Sequence, residues 1–197
     1  PELRAWVMYD WANSAMVTII VTAVFPIFFA QVAAEGLESA TASRLFTGAT
    51  TIGLVIIALL SPLLGTIADY SASKLRFLAG FLVMGAIATA LMFAITPGAW
   101  LFALVLFVLA NISFTGGGIF IDSFLPGISN EKNAGRISGL KFAMGYASGL
   151  LCLWLCLPLA AGLGEGASAE AVDRARLIPL VVAGYYAVAV IPTFLLL

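Results

Sequence analysis

The chain has 197 residues, of which 62% are hydrophobic and 10% charged, and its mean hydropathy is +1.11. Soluble domains carry about 25% charged residues, so this composition predicts an integral membrane protein that sits in a lipid bilayer. The net charge of −1 gives no reason to expect nucleic acid as a partner. The absence of histidine excludes His-based metal sites, haem ligation by histidine and Ser-His-Asp catalysis.

Long uncharged runs predict membrane-spanning helices, since one span needs about 20 apolar residues. The longest run, 77–121, is interrupted by the turn signal Thr96-Pro97-Gly98 and therefore divides into two spans. The sequence thus predicts an all-α membrane protein with six transmembrane helices. The predicted spans are residues 11–34, 45–68, 77–95, 99–121, 142–164 and 177–197.

Basic residues are unevenly divided between the two sides of the membrane. The N-terminus and the second-to-third and fourth-to-fifth connections carry more of them than the opposite side. By the positive-inside rule the N-terminus is cytoplasmic, and with six spans the C-terminal end is cytoplasmic too. The first side holds Arg4, Lys74, Arg76, Lys132, Arg136 and Lys141, and the second holds Arg44, Arg174 and Arg176.

The first span opens with a polar string, YDWANS, at residues 9–14. Helical spacing places Asp10, Asn13 and Ser14 on one face. Polar groups inside a membrane are costly and mark functional sites, which favours a solute path along this face. An alternative is that Asp10 caps the helix at the interface with Trp11 as an anchor, and the two interpretations are compatible.

The fourth span carries Asn111, then Gly116-Gly117-Gly118, then Asp122. Three consecutive glycines weaken a helix and let another group approach its backbone, which favours an aqueous cavity over lipid contact. Asp122 is expected near the inner mouth, close in sequence to a basic cluster. That position is equally compatible with two interpretations. Asp122 forms the ion pair of a gate or latch, or it is an ordinary solvated charge.

Lys141 lies at the start of the fifth span. Its long stem could carry the charge to the inner surface. Alternatively, its ammonium is a counter-charge for Asp122, Asp10 or an anionic substrate. We predict a substrate path or inner gate formed by Asp10, Asn13, Ser14, Asn111, Asp122 and Lys141.

The turn between the second and third spans is short and charged. Gly65 and Asp69 end one apolar run, and Lys74 and Arg76 begin the next. A carboxylate at the hydrocarbon boundary is costly unless it has a partner or faces a helix N-terminus. The turn therefore predicts an electrostatic latch between membrane helices.

Three stretches resemble the major facilitator superfamily of secondary transporters. Gly65-x-x-x-Asp69 with its basic cluster resembles the signature loop between the second and third spans. The string YDWANS at 9–14, and FLP at 124–126 followed by GRISG at 135–139, are similar to the vacuole-effluxer-like branch. The resemblance covers essentially the whole chain.

This resemblance implies twelve spans arranged as two six-helix halves, each built from two inverted three-helix repeats. The chain would be the N-terminal half, with a C-terminal half as its partner, and its first and fourth helices would line the cavity. Asp69 would pair with a helix end of the other half and stabilise the outward-facing state. Ala72 and Ser73 replace the usual glycine and arginine of the loop, which leaves the basic contacts to Lys74 and Arg76.

The expected function is secondary active transport of a small polar solute, with amino acids as candidates, by rocker-switch alternating access. No nucleophile–base pair or metal set is evident, so neither an enzyme nor a metal site is predicted. No cofactor is expected, and the coupling ion, with the proton as one candidate, is not identified. The alternative is a non-transporting membrane scaffold with the same fold. The expected location is a bacterial inner membrane, or a vacuolar membrane in a fungus.

Overall fold

The computed structural model describes residues 2–70, 73–130, 133–164 and 166–196, except for the side chains of Asp69 and Tyr70. In these ranges the chain forms helices joined by short connections, without a β-strand. Six helices are long and apolar enough to cross a membrane. The predicted all-α fold with six spans is therefore confirmed.

The helices extend beyond the uncharged runs from which they were predicted. The first begins at Glu2 and the fifth at Ala134, so charged side chains lie within helices and not only in their connections. Short helices also occupy Leu125–Ile128 and Ala169–Ala175. The spans are Glu2–Ala33, Ser39–Tyr70, Lys74–Leu91, Trp100–Asp122, Ala134–Ala160, and Ile178–Ala189 followed by Ile191–Leu196.

The first span departs from regular α-helix around Pro26. The segments Val17–Ala23 and Phe29–Ala33 are π-helical, and they flank the short α-helical turn Phe25–Phe28. Proline lacks the N–H of the helical ladder and its ring crowds the preceding turn, so the chain widens its turns on both sides. The result is a first span with two locally weakened stretches.

The packing of the spans repeats itself. The first span packs along the fifth and the sixth, and the fourth span packs in the same way along the second and the third. The third and sixth also contact each other. If the first span is exchanged with the fourth, the second with the fifth and the third with the sixth, the same pairs of spans are in contact. Because successive spans alternate in direction, two inverted three-helix repeats produce this pattern.

The first and fourth spans are the most buried of the six, and the second is the least. The largest fully buried side chains include Trp6 and Tyr9 from the first span and Phe107 and Phe120 from the fourth. Of the polar residues predicted on these two spans, Asn111 is buried, Asp10, Asn13 and Ser14 are half-buried, and Asp122 at the end of the fourth span is exposed.

Candidate functional site

The ammonium of Lys141 lies where the first, fourth and fifth spans meet. Its Nζ atom is 2.5 Å from Asp122 Oδ1 and 3.9 Å from Asp10 Oδ1, and the lysine side chain is only 10% exposed. The same ammonium lies 4.6 Å from the centre of the Trp6 ring. Lys141 is therefore a counter-charge for two carboxylates and does not extend to the surface. We refer to Asp10, Asp122 and Lys141 as the charged cluster.

Asp10 lies inside the first span. Because the helix begins at Glu2, Asp10 is in its third turn, and the interpretation of Asp10 as a helix cap is wrong. Its side chain is 13% exposed. Oδ2 accepts a hydrogen bond from Ser14 Oγ at 3.3 Å, while Oδ1 faces Lys141. The two carboxylate oxygens thus have different surroundings.

Small residues of the fifth span allow this close approach. A Cβ atom on Gly145 would collide with the Asp10 carboxylate and the Ser14 hydroxyl, and one on Gly149 would collide with the Thr18 hydroxyl. Between them, Ser148 Oγ donates to a backbone carbonyl of the first span and lies 2.9 Å from a tyrosine hydroxyl of the sixth. Oxygen atoms of the first span therefore face glycine backbone along the line of contact between the two spans, which we call the first–fifth seam.

A pocket of about 190 Å³ lies beside Asp10, and we call it the Asp10 pocket. A carboxylate and two hydroxyls line one side, and two aromatic rings of the fifth span line the other. Its lining residues are Asp10, Ser14, Val17, Thr18, Phe142 and Tyr146.

The prediction from sequence did not include four of these lining residues, Val17, Thr18, Phe142 and Tyr146. Thr18 continues the four-residue spacing of Asp10 and Ser14, and that spacing was the available signal. Phe142 and Tyr146 have the same spacing on the fifth span. Nothing in the sequence indicates that they face the first span.

Side chains occupy the space next to two of the three glycines of the fourth span, which remains helical through all three. A Cβ atom on Gly116 would collide with the ring of Phe81, and one on Gly117 with the hydroxyl of Tyr9. The predicted close approach to this backbone is therefore present. The predicted aqueous cavity is absent beside these two glycines, because the side chains of Phe81 and Tyr9 fill the space.

Asn13 and Asn111 lie outside the charged cluster. The side-chain oxygen of Asn13 is buried and has no hydrogen-bond partner among the described residues. Asn111 is buried between the fourth and second spans, where a Cβ atom on Gly53 would be 4.0 Å away. Along the fourth helix Asn111 is roughly 16 Å from Asp122. The structure does not bring Asn111 to the cluster.

The predicted latch is only partly described. The side chain of Asp69 lies outside the described residues, so its role as a latch stays a prediction. Gly65 lies in the second span with open space beside it, and Arg76 is exposed. The ammonium of Lys74 is 5.3 Å from the centre of the Phe124 ring. Two of the stretches that carry the family resemblance therefore contact each other.

Comparison with known proteins places the chain in a family. Residues 35–135 match the family described as vacuole effluxer Atg22 like. The chain belongs to this family. It is also 41% identical over 144 residues to a Bacillus subtilis (strain 168) protein named as the uncharacterized MFS-type transporter YxiO. No solved structure matches the chain.

The match to the Bacillus protein covers 73% of this chain and 34% of that relative, so the chain spans about a third of the relative's length. The family match contains the second, third and fourth spans, including Asp69 and Asp122. Asp10 and Lys141 lie on either side of the family match. The charged cluster therefore joins residues from inside and outside the matched segment.

Proposed function

We propose that this chain is part of a secondary active transporter that moves a small polar solute, with amino acids among the candidates, by alternating access. The observation that carries the proposal is the charged cluster between membrane-spanning helices, in which Lys141 and Asp10 are largely buried and Asp122 is 54% exposed, with the Asp10 pocket beside it. Ionised groups at membrane depth are costly and are retained where they line a path for solutes or ions. Membership of an effluxer-like family and a relative named as a transporter support the same class.

The geometry of Lys141 suits a change between two states. Its ammonium lies between carboxylates of the first and fourth spans, at 3.9 Å and 2.5 Å. A small movement of one span against the other would alter which carboxylate it pairs with. A solute that alters this preference would shift the populations of the two states. The π-helical stretches of the first span provide places where it could deform.

We further infer a cytoplasmic N-terminus in a bacterial inner membrane. The excess of basic residues on that side supports this orientation, and the Bacillus relative supports a bacterial setting. In this orientation the charged cluster lies toward the cytoplasmic ends of the first, fourth and fifth spans. The cluster would then act as an inner gate.

Counterflow in proteoliposomes tests the proposal. Full-length protein is reconstituted into proteoliposomes that contain an unlabelled amino acid or another small polar solute, and entry of the same solute in labelled form is measured. We expect counterflow with at least one solute and its loss in Lys141→Met. The control is Glu170→Gln, because Glu170 lies on a short outer helix with its side chain 82% exposed. If correctly inserted wild-type protein shows no counterflow with any of the amino acids or any of the other small polar solutes, the scaffold alternative is supported.

A further inference from the structure

We propose that the Asp10 pocket binds the primary ammonium group of a small organic solute, with the Asp10 carboxylate as its counter-ion. The role of this pocket in transport rests on the proposed function. Binding of an amine to the pocket does not depend on transport and is tested separately. It adds Thr18, Phe142 and Tyr146 to the residues that recognise the solute.

The first argument is charge balance. The charged cluster holds two carboxylates and one ammonium, so it carries a net charge of −1 when all three groups are ionised. The Asp122 carboxylate is 54% exposed and therefore solvated, whereas the Asp10 carboxylate is 13% exposed. An uncompensated charge in the low dielectric between membrane helices is costly, so the cluster favours a further positive charge close to Asp10.

The second argument is the unequal sharing of Lys141. Its Nζ atom is 2.5 Å from Asp122 but 3.9 Å from Asp10, so Asp122 is its principal partner. Asp10 is left with the weaker ion pair and one hydrogen bond from Ser14. Because Asp10 itself lines the pocket, a cation bound there would sit beside the less compensated carboxylate.

The lining of the pocket indicates which kind of cation fits. The carboxylate and the hydroxyls of Ser14 and Thr18 can accept the three hydrogen bonds of an ammonium group. The rings of Phe142 and Tyr146 can contact a cation through their faces and the attached carbon chain through their apolar surface. Hard metal ions prefer six or more oxygen ligands, and aromatic rings do not supply them.

The size of the pocket agrees with an organic ligand. Its volume of about 190 Å³ is more than ten times the roughly 10–15 Å³ that holds one water molecule. A bare ion would leave most of this space to water. An amine with a short carbon chain would place its ammonium at Asp10 and cover part of the rings of Phe142 and Tyr146, which are 60% and 73% exposed.

The test is ligand-dependent thermal unfolding of the purified full-length protein in detergent. The probe is n-propylammonium chloride, compared at equal ionic strength with sodium chloride and sodium propionate, and with 1-propanol. Ligands that bind the folded state raise the unfolding midpoint. We expect a concentration-dependent rise with n-propylammonium only. Alanine, tested in parallel, shows whether the site also accepts an ammonium group that carries a neighbouring carboxylate.

Variants locate the binding. Asp10→Asn should weaken n-propylammonium binding by at least about tenfold, because the neutral amide leaves the ammonium without a counter-ion. Tyr146→Leu should weaken it by about two- to fivefold by removing a ring. Glu170→Gln should bind as the wild type does. If Asp10→Asn does not fold, Thr18→Val and Tyr146→Leu take its place, and both should weaken binding.

The proposal is overturned if sodium ions raise the midpoint as much as n-propylammonium does, or if the amine has no effect. It is also overturned if folded Asp10→Asn, or both replacement variants, bind the amine as the wild type does. Failure of the transport proposal looks different. In that case the amine binds in an Asp10-dependent way, but no solute shows counterflow. Conversely, counterflow that n-propylammonium does not inhibit removes the role of the Asp10 pocket in recognising the transported solute and leaves transport intact.

Discussion

The seam between the first and fifth spans differs in chemistry from the seam between the third and fourth, although both rely on glycine for close packing. On the first–fifth seam, Gly145 and Gly149 face a carboxylate and hydroxyls. On the third–fourth seam, Gly116 and Gly85 face the rings of Phe81 and Phe114. Glycine therefore sets how closely two helices approach, and the residues opposite it decide what the seam can do.

The third–fourth seam is aromatic. The rings of Phe77 and Phe120 stack with their centres 5.4 Å apart, and Phe81 and Phe120 approach to 5.8 Å. Such contacts contribute van der Waals packing, which holds helices together in lipid. The first–fifth seam instead carries the charged cluster and the Asp10 pocket. We infer that one seam mainly stabilises the bundle, while the other combines packing with function.

The largest effect is expected from Lys141→Met on the first–fifth seam. Losing the ammonium removes the counter-charge of the Asp10 carboxylate, which is 13% exposed, and of the Asp122 carboxylate, which is 54% exposed. Breaking a fully buried ion pair typically costs about 3–5 kcal/mol, and water at Asp122 reduces that cost. We expect the free energy of unfolding in detergent to fall by an amount toward the lower end of this range, and counterflow to be lost. The triple variant Lys141→Met, Asp10→Asn, Asp122→Asn should recover much of the stability without recovering counterflow. Wild-type stability of Lys141→Met would contradict the assignment of Lys141 as the counter-charge.

Gly145→Ala and Gly116→Ala apply the same change to the two seams and should cost about 1–3 kcal/mol of unfolding free energy each. Gly145→Ala displaces Asp10 and Ser14, so n-propylammonium binding should also weaken. Gly116→Ala displaces the ring of Phe81, so binding should remain at the wild-type level. The measurements are thermal unfolding and amine titration of each variant.

The control for this pair is Gly80→Ala. A Cβ atom on Gly80 meets nothing within 4 Å, and alanine favours helix by up to about 1 kcal/mol. This variant should be neutral or slightly stabilised, with unchanged binding. Equal loss of amine binding in Gly145→Ala and Gly116→Ala would remove the functional distinction between the seams.

The smallest loss is expected from Phe120→Leu on the aromatic seam. Leucine fills part of the space of the buried ring but loses the ring contacts with Phe77 and Phe81, and such contacts are worth about 0.5–1.5 kcal/mol each beyond the area they bury. Stability should fall slightly, while counterflow and amine binding stay at the wild-type level. A decrease in binding larger than that of Tyr146→Leu would show that the two seams are coupled.

Much of the fold could be predicted from the sequence because membrane-spanning helices are determined locally. The hydrocarbon core requires about 20 apolar residues and internal hydrogen bonding, so hydropathy alone locates the spans. The ends of the spans were less predictable, because Asp10 and Lys141 lie within helices. Their charges can lie there since each is paired across a seam.

The candidate site was only partly predictable. Spacing correctly placed Asp10 and Ser14 on one face, where they are hydrogen-bonded. Spacing within one helix does not determine how that helix is rotated against its neighbours. For this reason the sequence left open the partner of Lys141, could not assign Phe142 and Tyr146 to the pocket, and grouped Asn111 with residues that lie elsewhere.

The sequence by itself determined the all-α fold, the six spans, the family resemblance and the presence of charged residues within a membrane protein. These are consequences of composition and local spacing, on which the bilayer acts directly. Only the tertiary structure decided that Lys141 lies between Asp10 and Asp122 and that Phe81 and Tyr9 pack against Gly116 and Gly117. The physical reason is that helix packing brings together residues far apart in the chain, and the rotation and closeness of each helix pair depend on all its neighbours.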